Sequence, residues 1–210
     1  MVEEKITSLW NSFAAKEQLT ARQLEQFKTY QELLVQWNEL INLTTITDTE
    51  KIILDHFQDS LAIGQFIDMS TIHGLADVGT GAGFPGIPLK IKYPHVSVIL
   101  IEVTQKKIHF LREVIRELEL TDIEICPDDW RTFLRTSHYR LELCVSRASL
   151  HPEELIRMFK PSSPYHHAIL VYWASQDWQP SNEIKQLIAD EKSYVVGSKK
   201  RRYIFFKKNT

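Results

Sequence analysis

Cysteine occurs only at Cys126 and Cys144 in the 210 residues, which leaves no disulfide framework and suggests no metal. Both lie in apolar runs, so buried free thiols in a reducing compartment are expected. Long hydrophobic runs are missing too. None approaches the length of a membrane span, and the opening Met1-Val2-Glu3-Glu4-Lys5 lacks the basic start and apolar core of a secretion signal. The expectation is a soluble, cytoplasmic protein with no membrane partner. An excess of positive charge is also absent: 25 Lys and Arg against 27 Asp and Glu give a net charge of −2. That excludes a generally basic surface and confines any nucleic-acid contact to a local patch. The candidates are Lys199-Lys200-Arg201-Arg202 and Lys207-Lys208, helped by Lys106, Lys107 and Arg112. Repeats and low-complexity linkers are lacking, and the length suits one domain with a modest extension.

What is present begins with helices. Ile6, Leu9, Trp10 and Phe13 recur at helical spacing, and Thr20 with Gln23 forms a capping box. The helix it opens carries an apolar stripe of Leu24, Phe27, Leu34, Trp37 and Ile41. Asn42-Leu43-Thr44-Thr45 interrupts the pattern, because these side chains compete for backbone hydrogen bonds. A third helix follows Asp48, with Ile52, Ile53, Phe57, Leu61 and Ile63 as its apolar face and His56, Asp59 and Ser60 on adjacent turns. Neighbours on one short helix cannot align a nucleophile, a base and an orienting carboxylate, so no catalytic triad is read here. A hydrogen-bonded cluster that fastens the helices to the rest is expected. The division is a helical extension over 1–67 and a main domain over 68–210.

From residue 72 strands alternate with helices, which predicts a parallel sheet covered on both faces. Strands are expected at 72–78, 96–101, 122–126, 141–145 and 168–173. Helices are expected from about 86, over 105–119 and over 181–190. Residues 192–197 and 202–206 are close enough to pair as an antiparallel hairpin.

Glycine is scarce, at seven residues, yet Gly79, Gly81, Gly83 and Gly86 crowd into the stretch Asp77 to Pro88. Glycines there allow positive φ and close approach of a ligand to the main chain. Gly81-Ala82-Gly83-Phe84-Pro85-Gly86 satisfies the dinucleotide pattern G-x-G-x-x-G, although Pro85 removes a donor that a pyrophosphate would want. Asp77 to Gly83 also satisfies D-x-G-x-G-x-G, the loop shape of class I methyltransferases that bind S-adenosylmethionine. That cofactor has no phosphate, and Asp77 can help hold its charged amino group.

In open α/β sheets a ligand lies beyond the carboxyl ends of the strands. Glu102, at the end of the second strand, can accept hydrogen bonds from both ribose hydroxyls of an adenosine. Asp128, Asp129, Trp130 and Arg131 follow the third strand, the usual place for contacts to adenine. Ser146-Arg147-Ala148 follow the fourth, beside the point where a methyl group would be presented, and an arginine buried there needs a partner.

These residues resemble those of the bacterial RsmG family, also called glucose-inhibited division protein B. The matching motifs are Trp37-Asn38 with Asn42-Leu43-Thr44, His56 with Asp59-Ser60, Asp77 to Pro88, Lys106-Lys107 with Phe110-Leu111, and Ser146-Arg147-Ala148. They run in order from about residue 33 to 148, and the ending Phe84-Pro85-Gly86-Ile87-Pro88 distinguishes the loop from a generic methyltransferase loop. The resemblance implies an α/β class I methyltransferase fold, Rossmann-like. Its mainly parallel seven-stranded sheet would carry a C-terminal antiparallel hairpin and an N-terminal helical extension. It implies S-adenosyl-L-methionine as methyl donor and, as acceptor, N7 of a guanine in 16S ribosomal RNA or the 30S subunit. Separately, a monomer is expected. The residues expected at the cofactor are Gly79, Thr80, Gly81, Phe84, Glu102, Trp130, Arg131 and Arg147. Arg147 is also the catalytic candidate, and no metal is expected. The family's Arg-x-Glu after the third strand is replaced here by Asp129, Trp130 and Arg131, and its Lys-Gly after the fifth by Trp173-Ala174. A small-molecule methyltransferase and a non-catalytic RNA-binding protein remain alternatives.

Overall fold

The computed structural model describes residues 2–147 and 149–207, so Ala148 and Lys208 of the sequence reading lie outside the described residues. Helix α1 (Val2–Lys16) is followed by α2 (Ala21–Ile41). The Thr20 hydroxyl accepts the Gln23 N–H, and the Gln23 side chain accepts the Thr20 N–H, which completes the expected capping box. Asn42, at φ 51°, closes α2 in the left-handed region that asparagine tolerates. Asp48 caps α3 (Thr49–Lys51), which runs directly into a π-helix, Ile52–Gln58, and then into α4 (Asp59–Leu61). The sequence predicts one ordinary helix here. The wider π pitch leaves no mark on the apolar spacing, and such segments are frequent at functional sites.

The parallel strands are β1 (Gly74–Val78), β2 (Ser97–Ile101), β3 (Ile123–Cys126), β4 (Leu143–Arg147) and β5 (Ile169–Ala174). Between them stand α5 (Gly86–Lys92), α6 (Gln105–Glu117), α7 (Trp130–Thr136) and α8 (Pro152–Leu155). The predicted helix over 181–190 is a single turn, α9 (Asn182–Lys185), and the chain then enters a long strand, β6 (Ile188–Val196). It pairs antiparallel with β7 (Lys199–Phe206), and the ladder reaches back to Ile188 opposite Phe206. That long-range pairing outweighs the helical preference of the first residues. The order across the sheet is β3-β2-β1-β4-β5-β7-β6, with β7 antiparallel to β5.

Alternate residues of each strand face opposite sides, so one sheet serves two cores. Leu75, Val98, Leu100, Leu143 and Val145 point into a core shared with Phe13, Phe27, Tyr30, Phe57 and Phe110. The N-terminal helices therefore cover one face of the sheet. On the other face Ala76, Val78, Ile99, Ile101 and Cys144 meet Trp130, Phe133 and Tyr165. Both cysteines are free and buried, as expected, and burial pushes the Cys144 thiol up to about 12.

Candidate active site

Strand order reverses between β1 and β4, and a cleft of about 740 Å³ opens at that point beyond their C-terminal ends. The loop after β1 forms one wall. Gly79, Gly81 and Gly83 have φ of +67°, +62° and +96°, which L side chains rarely adopt. A Cβ at Gly79 would collide with Ser149, and one at Gly83 would lie 2.6 Å from the Tyr30 hydroxyl oxygen. Gly81 differs: a Cβ there would meet nothing within 4 Å, so this backbone borders open space in the cleft.

Apart from that of Ala82, the loop's N–H groups are used internally. Gly79 and Thr80 donate to the Ile101 carbonyl at 3.0 and 3.1 Å, and Gly83 and Phe84 both donate to the Thr80 carbonyl at 2.9 Å. Gly81 N–H donates to Glu102 Oε2 at 3.1 Å, and Gly86 N–H to Asp77 Oδ2 at 2.7 Å. A pyrophosphate would need those donors and would face the Glu102 carboxylate instead, so the loop suits a ligand without phosphate.

Asp77 is fully buried and does not line the cleft. Its Oδ2 also accepts the Thr80 hydroxyl at 2.6 Å, while Oδ1 has no hydrogen-bond partner among the described residues. The carboxylate thus braces the loop from behind instead of facing a ligand's amino group, which corrects the sequence expectation. Burial raises its pKa to about 6, against the lowering influence of the Thr80 and Gly86 bonds.

Opposite the loop, the π-helix and β4 build a second wall around Phe84. The His56 ring stacks on Phe84 at 4.4 Å, and the Arg147 guanidinium carbon stands 5.1 Å from the centroid of the same ring. Arg147 Nη1 donates to Asp59 Oδ2 at 3.0 Å and to the Asp55 carbonyl at 3.2 Å, and Nη2 donates to His56 Nδ1 at 3.3 Å. With Nδ1 accepting, the proton of a neutral imidazole sits on Nε2, which donates to Thr44 Oγ1 at 3.0 Å. His56 is lowered to about 3, first by burial and then by the Arg147 charge, so it is neutral at physiological pH.

The C-terminal hairpin completes this wall. Tyr194 donates its hydroxyl to Asp59 Oδ1 at 2.8 Å, and Tyr203 donates to the Asp59 carbonyl at 3.0 Å. Lys199 reaches Asp55 Oδ2 at 2.6 Å, and Arg201 lies 3.5 Å from Asp59 Oδ1. Part of the basic run is thus drawn to Asp55 and Asp59. Arg202 pairs with Glu191 at 3.1 Å, Lys200 is exposed, and Lys107 stands 3.9 Å from Glu102.

Gly79, Thr80, Gly81, Phe84, Glu102, Trp130 and Arg147 all line the cleft. Arg131 is not among the side chains brought together: its Nε and Nη2 donate to Glu154 at 2.9 and 2.8 Å, away from the cleft. Sequence reasoning missed Asp55, Ser149, Tyr194 and Tyr30, whose buried hydroxyl donates to the Ala82 carbonyl at 2.5 Å and pins the loop to α2. Asp55 and Asp59 sit four residues apart on a helix, and the hairpin carries the opposite charge; that complementarity was the available signal. Among the described residues no group of three or more His, Cys, Asp or Glu could hold a metal ion. No described helix is long and apolar enough to cross a membrane.

Residues 23–208 match the family model described as rRNA small subunit methyltransferase G. A ribosomal RNA small subunit methyltransferase G from Bacillus cytotoxicus is 48% identical over 122 residues, 58% of this chain and 51% of the relative. One from Bacillus cereus is 50% identical over 115 residues, 55% of this chain and 48% of the relative. The chain thus matches about half the length of these curated relatives. A solved human methyltransferase 10 domain containing protein superposes with a TM-score of 0.59 at 10% identity, covering 86% of this chain and 96% of that one. Likenesses at such identity speak to the fold, that of methyltransferases.

Proposed function

The chain belongs to the rRNA small subunit methyltransferase G family, and from that premise we propose that it transfers a methyl group from S-adenosylmethionine to N7 of a guanine in 16S ribosomal RNA. The observation that carries this reading is the loop whose N–H groups, Ala82 apart, are already spent and whose Gly81 leaves room in the cleft, a wall for an adenosine-bearing ligand without phosphate. Gly79, Thr80, Gly81 and Phe84 are assigned to that wall and Trp130 to the adenine side. Glu102 is assigned to the ribose: each of its oxygens accepts one backbone N–H, from Gly81 or Thr104, and keeps a lone pair for a hydroxyl.

S-adenosylmethionine, when bound, supplies a methyl group on a positively charged sulfur. Guanine N7 carries an exposed lone pair and needs no deprotonation, so no general base is required. This agrees with a site where His56 is neutral with both ring nitrogens engaged and Asp77 is sealed behind the loop. The chain contributes placement, a term worth roughly 7 to 11 kcal/mol at its limit. Arg147 is assigned to the acceptor base or its flanking phosphate, through the N–H groups left after its bonds to Asp59, Asp55 and His56. N7 lies on the Hoogsteen edge, so the target must be an exposed or unstacked nucleotide. The acting form is read as a cytoplasmic monomer.

Calorimetric titration with S-adenosylmethionine, S-adenosylhomocysteine and NAD tests the cofactor, with Gly79→Arg and Glu102→Ala as controls. Binding of the first two, lost in both variants, is expected, together with methyl transfer to 30S subunits or 16S RNA. Binding of NAD would overturn the reading. RNA binding without either methionine-derived ligand would leave a non-catalytic RNA-binding protein of the same fold.

A further inference from the structure

A second hollow, of about 650 Å³, lies beside the cleft, and Asp129 lines both. Its walls come from α7 and from the chain after α8, and they carry four cations: Arg131, Arg135, Arg157 and Lys160. Two carboxylates stand against them, and both are already engaged. Glu154 is clasped by Arg131 at 2.8 and 2.9 Å and by Arg157 at 2.8 and 3.2 Å, and these bonds, Arg131 first, hold it down to about 2. Asp129 accepts the N–H groups of Arg131 and Thr132 and the Thr132 hydroxyl. Glu154 therefore fixes two guanidiniums side by side through their Nε and Nη2 atoms and leaves the Nη1 N–H groups of both unused by it.

Arg135 and Lys160 have no carboxylate partner among the described residues. Arg135 contacts Thr132 at 3.4 Å on its own helix and its charge also acts on Asp129 without pairing within 4 Å, and the Arg135 and Lys160 side chains are both exposed. On a chain of net charge −2, a hollow that sums to two positive charges after its carboxylates are counted is a local reversal of sign. The ends of a cleft that receives one nucleotide are where the strand on either side must run. Asp129 marks the adenine end of the cleft, so a strand whose target base sits at Arg147 reaches this hollow by running along the cleft rim past that end.

We propose that the hollow bounded by Arg131, Arg135, Arg157 and Lys160 holds the backbone phosphates of the RNA strand flanking the target nucleotide. The proposal rests on the reading of the cleft as an RNA methyltransferase site. It makes Arg131 a phosphate-facing residue of this second site.

The test is filter binding of a radiolabelled 16S ribosomal RNA transcript across a salt series. Wild type is compared with Arg135→Glu/Lys160→Glu and with Arg22→Glu/Arg116→Glu, a charge-matched pair on other elements. Thermal melts check that each variant folds. Reversal in the hollow is expected to weaken binding at least tenfold and to lower the magnitude of the salt slope by roughly 1.4, two phosphate contacts of about 0.7 each. The control pair is expected to stay within about threefold of wild type. Equal losses in the two pairs, or no loss in the first, would overturn the proposal. Wild type that binds no RNA overturns both this site and the proposed function, whereas RNA binding without methyl transfer removes the enzymatic reading and leaves the second site standing.

Discussion

Arg147 and Asp59 form a 3.0 Å ion pair across 88 positions of sequence, with the Asp59 side chain 3% and the Arg147 side chain 15% exposed. The pair joins the end of β4 to the start of α4, and Tyr194 from β6 bonds the other carboxylate oxygen. Removing one partner strands a charge that water scarcely reaches. Asp59→Ala is expected to cost about 3–5 kcal/mol, the usual cost of breaking a buried pair by one side. Denaturant unfolding measures it, and a loss below about 1 kcal/mol would mean that Arg147 finds another anion.

Gly81 and Gly83 separate ligand binding from stability. At Gly81 the expected cost of alanine is that of left-handed backbone alone, about 1–2 kcal/mol, while its Cβ enters the cleft. S-adenosylhomocysteine should then bind at least tenfold more weakly to Gly81→Ala. At Gly83 a Cβ would stand 2.5 Å from Ile87 Cδ1 and 2.6 Å from the Tyr30 hydroxyl, so overpacking of about 1–3 kcal/mol adds to the backbone cost. Gly83→Ala should therefore be the less stable protein of the two, and equal melting temperatures would contradict the assigned contacts.

The sequence placed the five parallel strands within two residues because each is decided locally, by apolar runs bounded by turns. It read the β6–β7 hairpin but gave the first residues of β6 to a helix over 181–190, because their pairing with β7 is set by a partner further along the chain, while Asn182–Lys185 locally favours a helix turn. It singled out the loop and Glu102 from residue type and position. It misjudged where Asp77 points: strand periodicity indicates burial, but only three-dimensional packing puts Thr80 and Gly86 on its oxygen. The meeting of Asp55 with Lys199 spans 144 positions and leaves no pattern in either segment alone.

Arg131 carries the clearest disagreement between residue order and geometry. It follows the third strand, where adenine contacts are expected, yet its guanidinium is held by Glu154 outside the cleft. Arg131→Ala is expected to leave the S-adenosylhomocysteine Kd within about twofold of wild type while weakening RNA. Calorimetry with each ligand checks it; a tenfold loss of cofactor affinity would return Arg131 to the cofactor.

Asp77 and His56 should pull stability in opposite directions with pH. Asp77 is raised from 3.8 to about 6 by burial, so the folded protein holds a proton that the unfolded chain has released. Its contribution is present in acid and is lost as pH rises from about 4 to 6. His56 is lowered from 6.5 to about 3, first by burial and then by Arg147, so in the same window the unfolded chain holds the extra proton. Its contribution is present above pH 6.5 and is lost as pH falls toward 3. Each slope is at most about 1.4 kcal/mol per pH unit, and in the wild type the two largely cancel between pH 4 and 6. Single substitutions uncover them. Relative to wild type, Asp77→Asn should gain about 2–3 kcal/mol between pH 4 and 6, and His56→Gln should lose a similar amount. Urea unfolding at pH 4, 5 and 6 reads both differences, and curves that stay parallel to the wild type would show that neither group keeps its folded-state proton balance.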